Sequence, residues 1–264
     1  MPAYYTHYLV ARETFLQSPP AMKDTVRPFL PLYFFGAQGA DFCFFYNSLW
    51  TKSPNFGSYL HRAGGYDAFS VLRLFAKKRA DILAYALGFI THYAADSTFH
   101  PYVYAISGNS PVKHNRNESL IDAYFTKREL SPDPYSEYAQ SKLSIEDEEE
   151  LFFVYAAIAA RCGLPPLFKT PFSRAISVFN AYLPITSTLA KGKTDVALQI
   201  VANEEKLPWR YPADPSITKT DDIQSLFHKS VKKSLSLQKS FFHAVETNTQ
   251  LPRATFGKSF LTGI

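Results

Sequence analysis

The chain is short of cysteine, glycine and unbroken apolar sequence, and each shortage removes a class of protein. Its two cysteines, Cys43 and Cys162, form no spacing motif, so neither a disulfide framework nor a thiolate zinc site is expected. Eleven glycines in 264 residues fall below the usual ~7%, whereas a β-sandwich or barrel asks for more turn glycine. The most apolar stretch, residues 82–105, is interrupted by His92, Asp96 and His100, which argues against a transmembrane segment. Net charge is small as well. The 28 basic and 23 acidic residues leave +5, too little and too dispersed for a stable nucleic-acid complex to be expected. The opening MPAYYTHYLVARET lacks the basic and apolar regions of a signal peptide, so the expected location is cytoplasmic. What is present, 46% hydrophobic and 19% charged residues, is the composition of a core-forming chain rather than a disordered one.

Apolar periodicity predicts an all-α fold, a multi-helix bundle of about eight to ten helices in a single domain spanning residues 1–264. A first helix is expected over 3–16. Pro19, Pro20, Pro28 and Pro31 then cut the chain into short pieces. Segment 32–50, with Gly36 and Gly39, supports only a short helix or a turn-bounded segment. Ser53-Pro54 reads as a helix opening and Gly64-Gly65 as its close. Helix is expected again from Tyr66 to about Ala105, with a break near Lys77–Arg79, and then over 112–127. Ser144 and Asp147 resemble a capping box that opens the helix continuing to Arg161. Further helices are expected at 171–182, 194–203 and 220–246, with loops at 128–143 and 206–216. No run of period-two alternation appears.

Chemistry concentrates in the first half. Five of the seven histidines lie within the first 114 residues. His92, Asp96 and His100 are spaced four apart, which on an α-helix turns successive side chains by only about 40° and aims all three from one face. His114 and Glu118 repeat the spacing on the following helix, with Asp122 one turn further. Imidazole and carboxylate together are a ligand set that zinc accepts without thiolates. A lone histidine on such a face is more often an ordinary core or surface residue, and a single His–Asp pair can be an ion pair. Two consecutive helices carrying His/Asp/His and His/Glu favour a metal site, because burying so many titratable groups without a cation is costly.

In chain order, His7, Asp41, His61, His92, Asp96, His100, His114 and Glu118 resemble the ligand series of the zinc-dependent phospholipases C, a family related to fungal single-strand zinc nucleases. The resemblance covers roughly residues 1–125 through THYLVARE, GADFCFFYN, LHRAGG, GFITHYAADSTFHPY and KHNRNESLID. It leaves 130–264 as helical scaffold. It implies two zinc sites, Asp41/His61/His92/Asp96 and His100/His114/Glu118, and a third built on His7 with Asp96 as a bridging carboxylate. In the secreted relatives the third ion is completed by an N-terminal tryptophan. This sequence has none near its start, and Pro2, exposed by loss of Met1, is the residue that can replace it. The gap from Asp96 to His100 is shorter than in those relatives, and Pro101 places His100 on the last turn of its helix. The activity implied is hydrolysis of a phosphodiester, a phospholipid in the family's usual chemistry, by a metal-activated water that Asp41 helps to orient or deprotonate.

Other readings stay open beside that one. A single-strand nuclease-like phosphodiesterase would use the same metals, and a non-catalytic zinc-stapled binding protein would need no open coordination position. Asp41 can instead cap a helix, and His61 can neutralise a helix C-terminus. Asp122 reads as a surface acid, with orientation of His114 as the other possibility. Phe42, Phe44, Phe45 and Tyr46 read as core, with a substrate wall as the alternative. His228 and His243 read as ordinary helix residues, and Lys229, Lys232 and Lys233 as a solvated face.

Overall fold

The structure, a computed structural model, describes residues 4–46, 55–108, 110–128, 133–140, 142–191 and 194–264. Helices in chain order are α1 (Tyr4–Gln17), α2 (Pro20–Val26), α3 (Leu30–Gly36), α4 (Phe56–Tyr59), α5 (Gly65–Ala76) and α6 (Ala80–Ser107). They are followed by α7 (Pro111–Arg128), α8 (Ile145–Arg161), α9 (Lys169–Lys191), α10 (Asp195–Ala202), α11 (Ile223–Glu246) and α12 (Arg253–Phe256). The fold is all-α, as the periodicity requires. Among the described residues the only ladder is a two-residue antiparallel ribbon, β1 (Trp209–Arg210) and β2 (Thr218–Lys219), with Trp209 opposite Lys219. It falls partly in the segment read as loop, and two residues per strand are too few to show alternation.

Helix α6 is the axis of the molecule. Every residue from Ile82 to Ser97 is buried, as expected of a helix enclosed on all sides. Helices α1, α3, α5, α7 and α11 all pack against it. Its contact with α3 is a backbone-to-backbone crossing: a Cβ on Gly88 would lie 1.9 Å from the Tyr33 carbonyl oxygen, and one on Gly36 2.3 Å from that of Tyr85. Two glycines thus let α3 approach closely enough to carry the following turn, Asp41–Phe45, against the middle of α6.

Helix ends follow local chemistry in most places. Ser144 and Asp147 form the expected capping box: Ser144 Oγ accepts from the Asp147 N–H at 3.0 Å, and Asp147 accepts from the Ser144 N–H at 3.3 Å. Helices α5 and α6 are separated at the predicted break. Two readings are corrected, and one falls outside the described residues. Gly64-Gly65 does not end a helix: α4 passes through a wide turn, Leu60–Gly64, directly into α5. Gly65 is there for space, since a Cβ would lie 2.9 Å from the Phe260 ring. Ser53-Pro54 lies outside the described residues, and Asn55 caps α4 by accepting from the Ser58 N–H at 3.2 Å. Finally, α6 runs on through Pro101 to Ser107, so His100 is not on a last turn. An internal proline costs about 3 kcal/mol in an isolated helix, and here burial of Phe99, Tyr102 and Val103 offsets it. Helix α9 likewise extends past the predicted end at 182.

Candidate metal centre

Helix α6 presents His92, Asp96 and His100, all buried, on the face turned toward α1 and α7. Helix α7 supplies His114 and Glu118, α1 supplies His7, the turn after α3 supplies Asp41, and the wide turn before α5 supplies His61. All eight predicted residues converge. His61 Nε2 lies 3.1 Å from Asp41 Oδ1, 3.5 Å from Asp96 Oδ2 and 3.2 Å from His92 Nε2. His92 Nε2 lies 3.3 Å from Asp96 Oδ2 and 3.8 Å from Asp41 Oδ1. On the far side of Asp96, Glu118 Oε1 lies 3.3 Å from His100 Nε2 and 2.9 Å from His114 Nε2. His7 Nε2 meets the other oxygen of Asp96, Oδ1, at 3.2 Å. Asp96 therefore touches every cluster, His100 Nδ1 included at 3.8 Å.

These distances test whether zinc fits. Four ligands at about 2.0–2.1 Å in a tetrahedron stand about 3.3 Å from one another. Five of the six edges of the Asp41/His61/His92/Asp96 set measure between 3.1 and 3.8 Å. The electronics agree. His61 Nδ1 donates to the Gly57 carbonyl at 2.7 Å, which leaves the lone pair of a neutral ring on Nε2, aimed at carboxylate oxygens and another imidazole. Asp41 Oδ1 and Asp96 Oδ2 are buried without a hydrogen bond. Buried acceptors facing buried acceptors require a cation between them.

Without metal, protons take that place. Asp41 and Asp96 hold the His61 pKa above its usual value despite burial, which acts the other way. Burial also opposes the rise at His100, yet Asp96 and Glu118 lift it to about 9. His92 goes the opposite way, pushed down to about 4 mainly by burial. Burial would raise Glu118, but its imidazole partners help bring it down to about 2. Three groups of side chains can each hold an ion: His7/Asp41/His92, His61/His92/Asp96 and His100/His114/Glu118.

Parts of the surroundings were not legible in the sequence. Gly39, at φ +58°, lies flat over the His92 ring, where a Cβ would come within 2.0 Å. His100 Nδ1 is 3.3 Å from the Phe260 carbonyl, and the Phe260 ring packs on His61, so the C-terminal region touches the centre instead of serving only as distant scaffold. Asp122 is no surface acid. It is buried and accepts from the Tyr5 N–H at 3.0 Å, the Thr6 N–H at 2.8 Å and the Thr6 hydroxyl at 2.7 Å, with its pKa raised to about 6 by burial against those bonds. It caps the first turn of α1, one residue before His7. Asp41 does not cap a helix, and His61 sits in a wide turn rather than at a helix terminus.

The centre opens onto a cleft of about 360 Å³ lined by Asp41, His61, Asp96, His100 and His114 together with Phe44, Arg62, Tyr104, Asn115 and Leu261. Of the aromatic run 42–46, only Phe44 reaches this cleft; Phe42 is core. Arg62 and Tyr104 were missed, although one follows His61 directly and the other stands four residues beyond His100.

Fold and site together define an all-α protein with a buried histidine–carboxylate centre built for divalent cations beside an open cleft. The zinc-dependent phospholipase C family pattern matches residues 6–163, and the chain belongs to that family. No curated protein and no solved structure matches it. No helix among the described residues is long and apolar enough to cross a membrane.

Proposed function

We propose that the protein hydrolyses a phosphodiester, in the manner of a phospholipase C, using zinc held by two ligand sets. Asp41, His61, His92 and Asp96 form one set, and His100, His114 and Glu118 the other. His7 and Asp96 form part of a third set; its completion by Pro2 is a reading that lies outside the described residues. The observation that carries the proposal is the convergence of two imidazole nitrogens and two carboxylate oxygens at 3.1–3.8 Å, with Asp41 Oδ1 and Asp96 Oδ2 buried and without a hydrogen bond. Zinc in such sites supplies Lewis acidity and lowers the pKa of water to about 7.

The chain's own side chains supply the rest. Asp41, bordering both the four-residue set and the cleft, orients the attacking water and accepts its proton. Gly57 and Phe260 carbonyls fix the tautomers of His61 and His100. Arg62 at the mouth of the cleft meets the phosphoryl oxygens, while Phe44 and Leu261 offer an apolar wall to the remainder of the substrate. The second set has three protein ligands and faces the cleft, which favours catalysis over a purely structural staple.

Parallel assays on a choline phosphodiester and on single-stranded DNA, with zinc content measured per chain, test this reading. Expected are turnover of the choline ester and at least two zinc ions per chain, with His114→Ala losing activity while keeping its helical circular dichroism. Full activity in His114→Ala overturns the second site; cleavage of DNA alone moves the substrate to nucleic acid.

A further inference from the structure

The opposite face of α6 lines a second cavity, of about 350 Å³, bounded by Ser97, the β1–β2 ribbon and α11. Three lysines reach it: Lys219 from β2, and Lys229 and Lys233 from α11. The expectation of a solvated basic face holds for Lys229 and Lys232, which are exposed, but not for Lys233, which is half-buried and turns toward Ser97. Its ammonium donates to Ser97 Oγ at 2.7 Å and stands 5.4 Å over the Tyr93 ring. Ser97 in turn donates its own hydroxyl proton to the Tyr93 carbonyl, so it is committed as an acceptor to Lys233. Lys219 lies 4.6 Å over Tyr211 and 5.9 Å over Trp209. Among the described residues, neither Lys219 nor Lys233 has a carboxylate partner. Lys229 alone is neutralised, by Asp221 at 2.6 Å.

The walls are built rather than adventitious. Asn203 ties two loops together by donating to the Leu207 and Asp221 carbonyls, both at 3.1 Å. Trp209 Nε1 donates to the Asp221 carbonyl at 3.2 Å, and Tyr211 donates to the Thr262 carbonyl. The ribbon therefore holds Lys219 in place over its two rings. A half-buried ammonium with one protein acceptor and no carboxylate within ion-pair distance is costly, and a second half-buried ammonium without a carboxylate partner in the same cavity adds to that cost. An anion resolves both. Lysines act as point charges for phosphate, and a cavity of this size admits a phosphate with a small organic substituent.

We propose that this cavity binds a phosphate-bearing ligand, a small phosphomonoester or a lipid headgroup of the same chemistry, with Lys233 at its floor and Lys219 at its wall. The site is independent of the metal centre, whose residues lie on the other face of α6.

Tryptophan fluorescence reads the cavity locally. The chain has two tryptophans, Trp50 and Trp209, so Trp50→Phe leaves Trp209 as the sole reporter. In that background, inorganic phosphate is expected to shift Trp209 emission saturably in the millimolar range or below. Lys233→Met weakens the response about tenfold or more, the loss of one charge-assisted hydrogen bond, whereas Lys233→Arg and His114→Ala retain it. If Lys233→Met fails to fold by circular dichroism, Lys219→Met carries the test. Vesicles of phosphatidylcholine with and without phosphatidic acid form the second arm. A lysine-dependent response to phosphatidic acid vesicles alone identifies a headgroup, and one to free phosphate alone a soluble ligand. Four results overturn the proposal: no response in either arm, an equal response to sodium chloride at matched ionic strength, a response unchanged by both lysine variants, or one abolished by His114→Ala.

Discussion

The two faces of α6 carry opposite kinds of unbalanced charge, buried on one side and half-buried on the other. Toward α1 and α7, carboxylates and imidazoles crowd together as acceptors; toward α11 and the ribbon, ammonium groups gather with few acceptors. The first face asks for cations and the second for an anion. One helix accommodates both because four-residue spacing returns to the same face, so His92, Asp96 and His100 share one side while Ser97, Thr98 and Pro101 share the other. The comparison also separates two routes by which a fold compensates a buried polar group. Asp122 is satisfied within the chain by the first turn of α1, whereas Asp96 and Lys233 have hydrogen-bonding capacity directed toward space that a ligand can fill.

The sharpest way to break the comparison is Asp96→Asn. Asp96 contacts His7, His61, His92 and His100, so removing its charge disturbs every cluster at once. Even altering a residue that only supports a zinc ligand costs 10–100-fold; here activity is expected to fall by roughly 100-fold or more, and zinc per chain by more than one ion. Retained zinc content measured by mass spectrometry would remove Asp96 from the centre. The lysine cavity should be untouched, with Trp209 responding to phosphate as before.

Gly39→Ala follows in size. The new methyl meets the His92 ring at 2.0 Å, and φ +58° disfavours any L side chain. Overpacking costs about 1–3 kcal/mol and the left-handed backbone a further ~1 kcal/mol. A lower Tm together with lower zinc affinity is expected. An unchanged Tm would mean that the turn after α3 is free to move away from α6. Asp122→Ala should be milder, about 1–3 kcal/mol for the orphaned N–H groups of Tyr5 and Thr6, and it should loosen the His7 side of the centre more than the His114 side. Hydrogen exchange at the first turn of α1 measures that directly.

These residues also mark what a linear reading reaches. The His92/Asp96/His100 and His114/Glu118 patterns were visible because their geometry is local: spacing on one helix fixes a face. Order along the chain and the family resemblance drew in His7, Asp41 and His61. Asp122 was misread because its partner, the start of α1, lies more than a hundred residues away. Gly64-Gly65 was misread because glycine signals both a helix stop and a close contact, and only the position of Phe260 decides between them. Lys233 was misread as one member of an exposed run. The helical period puts Lys229 and Lys233 on one face, but only the contact with Ser97 of α6 shows that Lys233 is half-buried there while Lys229 stays exposed.

The smallest expected effect concerns pH at Lys233. Burial, reinforced by the nearby Lys258 ammonium, lowers the Lys233 pKa from 10.5 to about 8. The groups around it are Ser97 and Tyr93 on α6, Lys219 on the ribbon, Lys229 with Asp221 at the rim, and Lys258 from the C-terminal segment. A depressed lysine pKa means the fold disfavours the charged form, so this group's destabilising contribution shrinks as pH rises from about 8 toward 10.5. Anion binding runs in the other sense. It needs the ammonium, so phosphate affinity should be constant below pH 8 once the ligand's own titration is subtracted, and should then weaken by up to about tenfold for each further unit. In Lys233→Arg the guanidinium stays charged throughout, and the decline above pH 8 should vanish. If wild type and Lys233→Arg lose affinity in parallel, the titrating group is not Lys233, and the contrast between the two faces of α6 rests on the metal centre alone.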